Sequence, residues 1–285
     1  MSDHAKKKNN LSIIIPWYNR KELKTTLLKN MDAISKSDLE LVIVNCGGDN
    51  QWLMNNCANY FPASSRIVEI KNVCFNKSLA LNIGVSQSSS SRLFFLDADI
   101  ILRDIEFARV IKKISNKRFL TIGEVYESSN LLENNEEVSK VSEIGYYTEL
   151  VVNGKSLNIE TNRVSFSNNS RSAPGLILLT KKNFIGVNGM NSDLNTWGWE
   201  DLDLQIRLKI KYDLLQEKIG RVVHLSHGDE VRNLLNKSSA ECEMKNFSIC
   251  LSQYDRGNYL GTYVQDVSNY ESGIRVHALN RKELV

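Results

Sequence analysis

Arg92-Leu93-Phe94-Phe95-Leu96-Asp97-Ala98-Asp99 joins a short apolar run to two aspartates one residue apart. A run that is continuous rather than alternating suits a strand buried on both faces, with Asp97 and Asp99 at its carboxyl end. Leu11-Ser12-Ile13-Ile14-Ile15 has the same character and stops at Pro16, and Leu39 to Val44 repeats it before Gly47-Gly48-Asp49. Between these runs Leu23, Leu27, Met31 and Ile34 recur at helical spacing. Ile105, Ala108, Val110, Ile111 and Ile114 do so again, with Asp104 placed to cap that helix. Strands alternating with helices predict an α/β protein whose mostly parallel sheet is flanked by helices. Ligands of such sheets bind beyond the carboxyl ends of the strands, the edge that Pro16, Gly47, Asp97 and Asp99 share.

Further along, Leu79, Leu81, Ile83 and Val85 lie in a short segment before Ser88 to Ser91, which reads as a loop. Residues 127 to 170 are rich in Asn, Ser and Glu, with Tyr146, Tyr147 and Phe166 as isolated apolar points, and predict excursions or a mobile loop. Gly175 to Thr180 is a strand. Glu200 to Lys211 is a helix with Leu202, Ile206 and Ile210 on one face. Arg221 to His224 is a last strand leading into His227, and from Ser239 onward the polar, tyrosine-containing chain shows no motif.

Composition narrows the class. The 285 residues are 42% hydrophobic and 24% charged, ordinary for a soluble globular protein, and suffice for a full core. A net charge of +3 is too small to imply nucleic acid. The run Ala5-Lys6-Lys7-Lys8 reads as a solvated tail. No apolar stretch approaches the roughly 20 residues needed to cross a bilayer, and no signal peptide is evident. The five cysteines are scattered without a CxxC pair, which argues against a zinc site or disulfide framework. Asn76-Lys77-Ser78 and Asn236-Lys237-Ser238 are sequons without meaning in an unsecreted chain. The expected place is a reducing cytoplasm, extending to the periphery of the inner membrane face.

Two aspartates separated by one residue can approach one cation whose other positions go to phosphate oxygens. His224 and His227, three residues apart in a chain with four histidines, become candidate ligands beside that pair, since Mn²⁺ accepts imidazole. The plainer alternative is a strand-end and a surface histidine. Trp197-Gly198-Trp199-Glu200-Asp201-Leu202-Asp203 puts carboxylates in the first turn of a helix, where the dipole alone would favour them. Flanking aromatic faces suit a sugar-binding wall, and Asp201 suits a general base. Arg20 and Lys77 sit beside strand-end turns, where they could pair with diphosphate oxygens.

Ile13 to Glu22, Phe75-Asn76-Lys77, Asp97-Ala98-Asp99 and Gly198-Trp199-Glu200-Asp201 occur in the order seen in GT-A glycosyltransferases. The chain resembles the β-1,4-galactosyltransferase type and the related bacterial chondroitin-polymerase type over roughly residues 11 to 103 and 171 to 230. The resemblance implies a Rossmann-like nucleotide-diphospho-sugar transferase fold. It implies that Pro16, Asn19, Arg20, Phe75, Lys77 and Asp97 bind the donor, with Lys77 replacing the family's arginine. It further implies that Asp99, His224 and His227 bind Mn²⁺ or Mg²⁺, that Asp201 is the catalytic base and that Glu200 contacts acceptor or donor sugar, beside the aromatic wall read from Trp197 and Trp199. Trp199 stands where the family usually has glycine. Asn45-Cys46-Gly47-Gly48 replaces the paired acidic residues of the broad family-2 pattern.

The expected organisation is a polar tail (1–10), a GT-A catalytic domain (11–238) with a nucleotide-binding part (11–103) and an acceptor and catalytic part (171–230), and a C-terminal extension (239–285). The expected activity is metal-dependent, inverting transfer of a hexose or N-acetylhexosamine from a UDP-sugar to a hydroxyl acceptor in glycan biosynthesis. A retaining transferase on the same fold and a non-catalytic carbohydrate-binding domain are the alternatives. A sugar-nucleotide pyrophosphorylase would need a glycine-rich phosphate loop where Pro16-Trp17-Tyr18-Asn19 stands.

Overall fold

The computed structural model describes residues 10–61, 65–129, 140–152, 154–228 and 237–279. The run Ala5-Lys6-Lys7-Lys8 and Asn236 of the second sequon lie outside the described residues.

Strands β1 (Leu11–Trp17) and β2 (Leu39–Cys46) are buried along their whole lengths, and β1 continues through Pro16 rather than stopping there. Strands with aliphatic side chains on both faces need cover on both. On one face Ile13 and Ile15 share a core with Leu23 and Leu27 of α1 (Glu22–Ser35) and Leu53 of α2 (Asn50–Cys57). On the other, Ile14, Val42 and Val44 pack against α3 (Lys77–Gln87), which is buried from Ser78 to Val85. Each Leu or Ile so enclosed contributes about 1.5–3 kcal/mol. The segment Leu79 to Val85 is thus a helix enclosed all round.

With β3 (Ser65–Ile70) and β4 (Arg92–Phe95), β1 and β2 form a parallel ladder in the order β3-β2-β1-β4. The chain moves outward from β1 to β3, then crosses back to β4 on the far side of β1. That reversal opens a crevice at the carboxyl ends of β1 and β4.

β5 (Ile100–Arg103) follows the aspartates directly. α4 (Phe107–Lys113) starts later than the periodicity predicts, because Asp104 adopts φ +49° and caps nothing; Glu106 holds the N-cap position. The sheet continues through β6 (Arg118–Glu127), β9 (Ser170–Thr180) and β10 (Leu215–His224) in the order β4-β9-β6-β10-β5. β9 is antiparallel to both β4 and β6, and β10 is parallel to β6. Two reversals restore direction, so β6 and β10 deliver Glu127 and His224 to the same edge as Asp97 and Asp99.

Residues 143–165 are not the irregular excursion that their composition predicts. They form a hairpin of β7 (Glu143–Val152) and β8 (Lys155–Ser165), attached to β9 through Val164 and Ser165. Ile159 from β8 joins Leu202 and Ile206 of α6 (Glu200–Tyr212), which follows the short α5 (Lys181–Gly186).

The chain beyond Ser239 is also structured. α7 (Ser239–Asp255) opens with a capping box of Ser238 and Glu241 and packs Cys250 and Tyr254 onto α6. In α8 (Tyr263–Tyr270), Asp266 accepts hydrogen bonds from Asn82 (2.6 Å) and Ser192 (2.8 Å), tying this helix to α3 and to the loop before α6. β11 (Ile274–Leu279) pairs antiparallel with β3 and becomes the edge of the sheet. No helix among the described residues is long and apolar enough to cross a membrane.

Candidate active site

Asp99, His224 and His227 offer three ligand atoms within 4.8 Å of one another. Asp99 Oδ2 lies 3.8 Å from His224 Nε2 and 3.4 Å from His227 Nε2, and the two Nε2 atoms are 3.2 Å apart. The backbone N–H of Leu225 donates to the Asp99 carbonyl at 2.8 Å, which fastens the histidine loop to the strand-end aspartates. His227 Nδ1 is 2.9 Å from the carbonyl of Gly228, a group that can only accept, so Nδ1 carries the proton. His224 Nδ1 is 2.7 Å from Glu127 Oε2, and an ionised carboxylate likewise only accepts. Both rings therefore turn Nε2 toward the Asp99 carboxylate, where it donates when protonated and offers a lone pair once a cation displaces that proton.

With those protons displaced, two imidazole nitrogens and one carboxylate oxygen would converge on a single cation. Two imidazoles and one carboxylate suit a borderline cation such as Mn²⁺ better than a site built wholly of oxygens would. Carboxylates behind metal-ligating histidines fix tautomer and ring orientation, which is the place of Glu127. Burial alone would raise the Glu127 carboxyl. Hydrogen bonds from His224 and from Arg171 (Nε to Oε1, 2.7 Å) outweigh it and bring the pKa down to about 2. For Asp99, burial again opposes ionisation, but His227, His224 and Arg20 together hold its pKa below the usual value. The hydrogen bond to Asp99 in turn raises His227 above its usual value. Arg20 donates through Nη2 to the same Asp99 oxygen and sits beside Glu22 at 3.5 Å.

Glu127 and Arg171 are absent from the sequence reading. They belong to the site through register: His224 and Glu127 are partners in the β10–β6 ladder, and no local motif announces that pairing.

Beside the cluster, Lys77 Nζ is 2.9 Å from Asp201 Oδ2 and 3.2 Å from Asp97 Oδ1. The first turn of α3, the end of β4 and the first turn of α6 thus meet at one ammonium. Asn19, at φ +52°, accepts the N–H of Asp49 (2.7 Å), while Tyr18 stacks on Phe75 with centroids 5.9 Å apart. Pro16 is buried in β1 beneath them. Asn45, in place of an acidic residue, holds the Gly47-Gly48 turn by accepting the Gly48 N–H at 2.8 Å.

The backbone into α6 is bent by Gly198 at φ +96° and Trp199 at φ +71°. A left-handed conformation is strained for a bulky residue and persists only when packing compensates. Here the Trp199 ring lies 4.4 Å, centroid to centroid, from Phe247 of α7 and within the α6–α7 core. That anchor takes the ring into the core, whereas Trp197 remains half-buried. Glu200 is buried, and its Oε2 has no hydrogen-bond partner. Burial and the neighbouring Asp201 charge push its carboxyl from 4.5 up to about 8, with Lys77 only partly offsetting them.

A carboxyl raised in the folded state stabilises that state below its unfolded pKa and loses the contribution as pH rises through its folded pKa. The melting temperature is therefore expected to fall between about pH 5 and pH 8.5, and Glu200→Gln should flatten that fall. Thermal denaturation of both proteins across this range checks it; equal slopes would show Glu200 to be ionised throughout.

A family model described as glycosyltransferase like family 2 matches residues 12–256. No curated protein sequence is detectably similar. Among solved structures the chain is similar to a mutant Drosophila β-1,4-galactosyltransferase 7 in complex with manganese, UDP-Gal and xylobiose. That match has a TM-score of 0.45 and 14% identity over 78% of this chain and 74% of the other. It is also similar to S. aureus TarS 1–349, with a TM-score of 0.49 and 16% identity over 81% of this chain and 68% of the other.

Proposed function

The chain belongs to glycosyltransferase-like family 2 and has a GT-A fold, and from that premise we propose that it transfers a hexose or N-acetylhexosamine from a UDP-sugar to a hydroxyl acceptor, with inversion. One observation carries the reading: the Asp99–His224–His227 cluster lies at the carboxyl edge of the sheet beside Asp97, which Lys77 links to Asp201. The cluster suits a leaving group and Asp201 an attacking one.

Asp99, His224 and His227 would hold Mn²⁺ or Mg²⁺, which when bound supplies Lewis acidity toward the diphosphate. Arg20 and Lys77 place cationic donors beside the phosphates. Pro16, Asn19 and Phe75 line the nucleotide pocket, and Asp97 meets the ribose or the donor sugar. Glu200, neutral near pH 7, offers a donor and an acceptor to a sugar hydroxyl. Trp197 borders the acceptor side, and Trp199 serves that side by fixing the backbone that presents Glu200 and Asp201.

In the reaction the acceptor hydroxyl oxygen bonds to the anomeric carbon while its proton passes to Asp201. The bond from that carbon to the β-phosphate oxygen breaks, and its electron pair leaves with UDP. The acceptor attacks from the face opposite UDP, so the configuration inverts.

Calorimetric titration of UDP with Mn²⁺, repeated in EDTA, tests the donor site. Binding should vanish in EDTA and in Asp99→Ala. Absence of binding in both buffers would remove the donor assignment and leave a carbohydrate-binding domain as the better reading. A product that retains the donor's anomeric configuration by NMR would take Asp201 out of the base role.

A further inference from the structure

We propose that Lys77 is a positioning residue for the proton-accepting carboxylate of Asp201, and that Gly175 provides the space this contact requires. The inference rests on the reading of Asp201 as the base.

Lys77 extends from a fixed point. Asn76 caps α3 by accepting the Leu79 N–H at 3.0 Å, and its own amide donates to the Ser192 carbonyl at 2.8 Å. From there the Lys77 side chain, 18% exposed, carries its ammonium to Asp201 Oδ2, in a side chain 17% exposed. Burial alone would lower the Lys77 pKa, but the charges of Asp201, Asp97 and Glu200 outweigh it and hold the ammonium well above the usual range.

Gly175 of β9 closes the pair from the sheet side. A Cβ at this position would run into Asp201 Oδ2 and stand 3.1 Å from Lys77 Nζ. The adjoining Pro174 carbonyl accepts from Gln205 Nε2 at 2.9 Å, so the wall is tied to the helix that carries Asp201. Elements α3, β9 and α6 are thus mutually fastened around one carboxylate.

The chemistry gives this a purpose. A carboxylate rotating freely about Cβ–Cγ presents either oxygen in many orientations. Holding Oδ2 leaves Oδ1 as the oxygen for the acceptor proton, in a fixed direction. Misplacement of a reacting group by about 1 Å can lower a rate about 10²-fold. A lysine serving only as a diphosphate ligand would act elsewhere, on UDP affinity.

The test compares Lys77→Met, Lys77→Arg, Gly175→Ala, Asp201→Asn and the Lys77→Met/Asp201→Asn double variant. It reads UDP–Mn²⁺ affinity by calorimetry, and kcat and KM for the donor. Lys77→Met should lower kcat about 10²-fold, a loss well beyond the weakening of UDP binding that follows from loss of its phosphate contact, and Lys77→Arg should restore part of it. Gly175→Ala should reproduce the kcat-selective loss with Lys77 intact. In the double variant, Lys77→Met should add nothing to Asp201→Asn, because a residue acting through another has no effect once that other is gone. Multiplying effects, or a loss confined to UDP affinity at unchanged kcat, would overturn the role of Lys77 alone. Full turnover by Asp201→Asn would overturn the base reading and this inference with it.

Discussion

Asp201→Asn is expected to lower turnover about 10²–10⁴-fold while UDP–Mn²⁺ affinity and melting temperature stay close to those of the unsubstituted protein. The amide matches the carboxylate in shape, so the crowded space against Gly175 is still filled without overlap. Its oxygen can still accept from Lys77, whose second partner Asp97 is untouched. What disappears is the atom that takes the proton. Asp201 bonds to Lys77 rather than to Asp99, His224 or His227, the proposed cation ligands, so affinity for the nucleotide should be preserved. Steady-state rates at saturating donor and acceptor, with calorimetry alongside, check the split. A rate loss that tracks a loss of UDP affinity would mean that Asp201 is a binding group.

Asp203→Ala should be the most destabilising single change near the site. Arg207 and Asp203 are 1% and 0% exposed, and the guanidinium donates through Nε to Asp203 Oδ2 at 2.8 Å. The same guanidinium donates to the carbonyls of Val187 (2.9 Å) and Gly189 (2.7 Å), and Tyr254 donates to Asp203 Oδ1 at 2.7 Å. Removing the carboxylate leaves a cation buried without its counter-charge, a loss of about 3–5 kcal/mol. Whole domains have only about 5–15 kcal/mol in hand. A chain of this size should melt about 5–8 °C lower. Replacing both partners together, as in Asp203→Leu with Arg207→Met, should cost less than Asp203→Ala, because no charge is then stranded. Thermal or urea unfolding decides, and a change under about 1 kcal/mol for Asp203→Ala would mean that water reaches Arg207.

The residues most legible in the sequence are those whose position follows from a strand's end. Leu11 to Ile15 and Arg92 to Leu96 read as buried strands because parallel strands with both faces covered must be continuously apolar, and the aspartates then fall where β4 stops. α3 escaped for a related reason: a helix enclosed on all sides has no polar face and therefore no period of 3.6. β7 and β8 escaped because their strand character comes from the ladder rather than from burial. Tyr146 and Tyr147, for example, are 58% and 61% exposed. Glu127 and Arg171 depend on the register between β6, β9 and β10, which is fixed only when the sheet assembles. Trp199 was visible as a departure from glycine, but its compensating partner Phe247 sits in a helix with no motif of its own.

The pairing of β3 with β11 sets an order on biosynthesis. Ser65–Ile70 leaves the ribosome about 200 residues ahead of Ile274–Leu279, and at about 5–20 residues per second it waits about 10–40 s for its partner. Throughout that interval the growing polypeptide carries a row of bare amides and carbonyls along an apolar strand, the template from which intermolecular sheets start. A ribosome stalled before Ile274 holds that edge open to every neighbouring nascent chain on the same message.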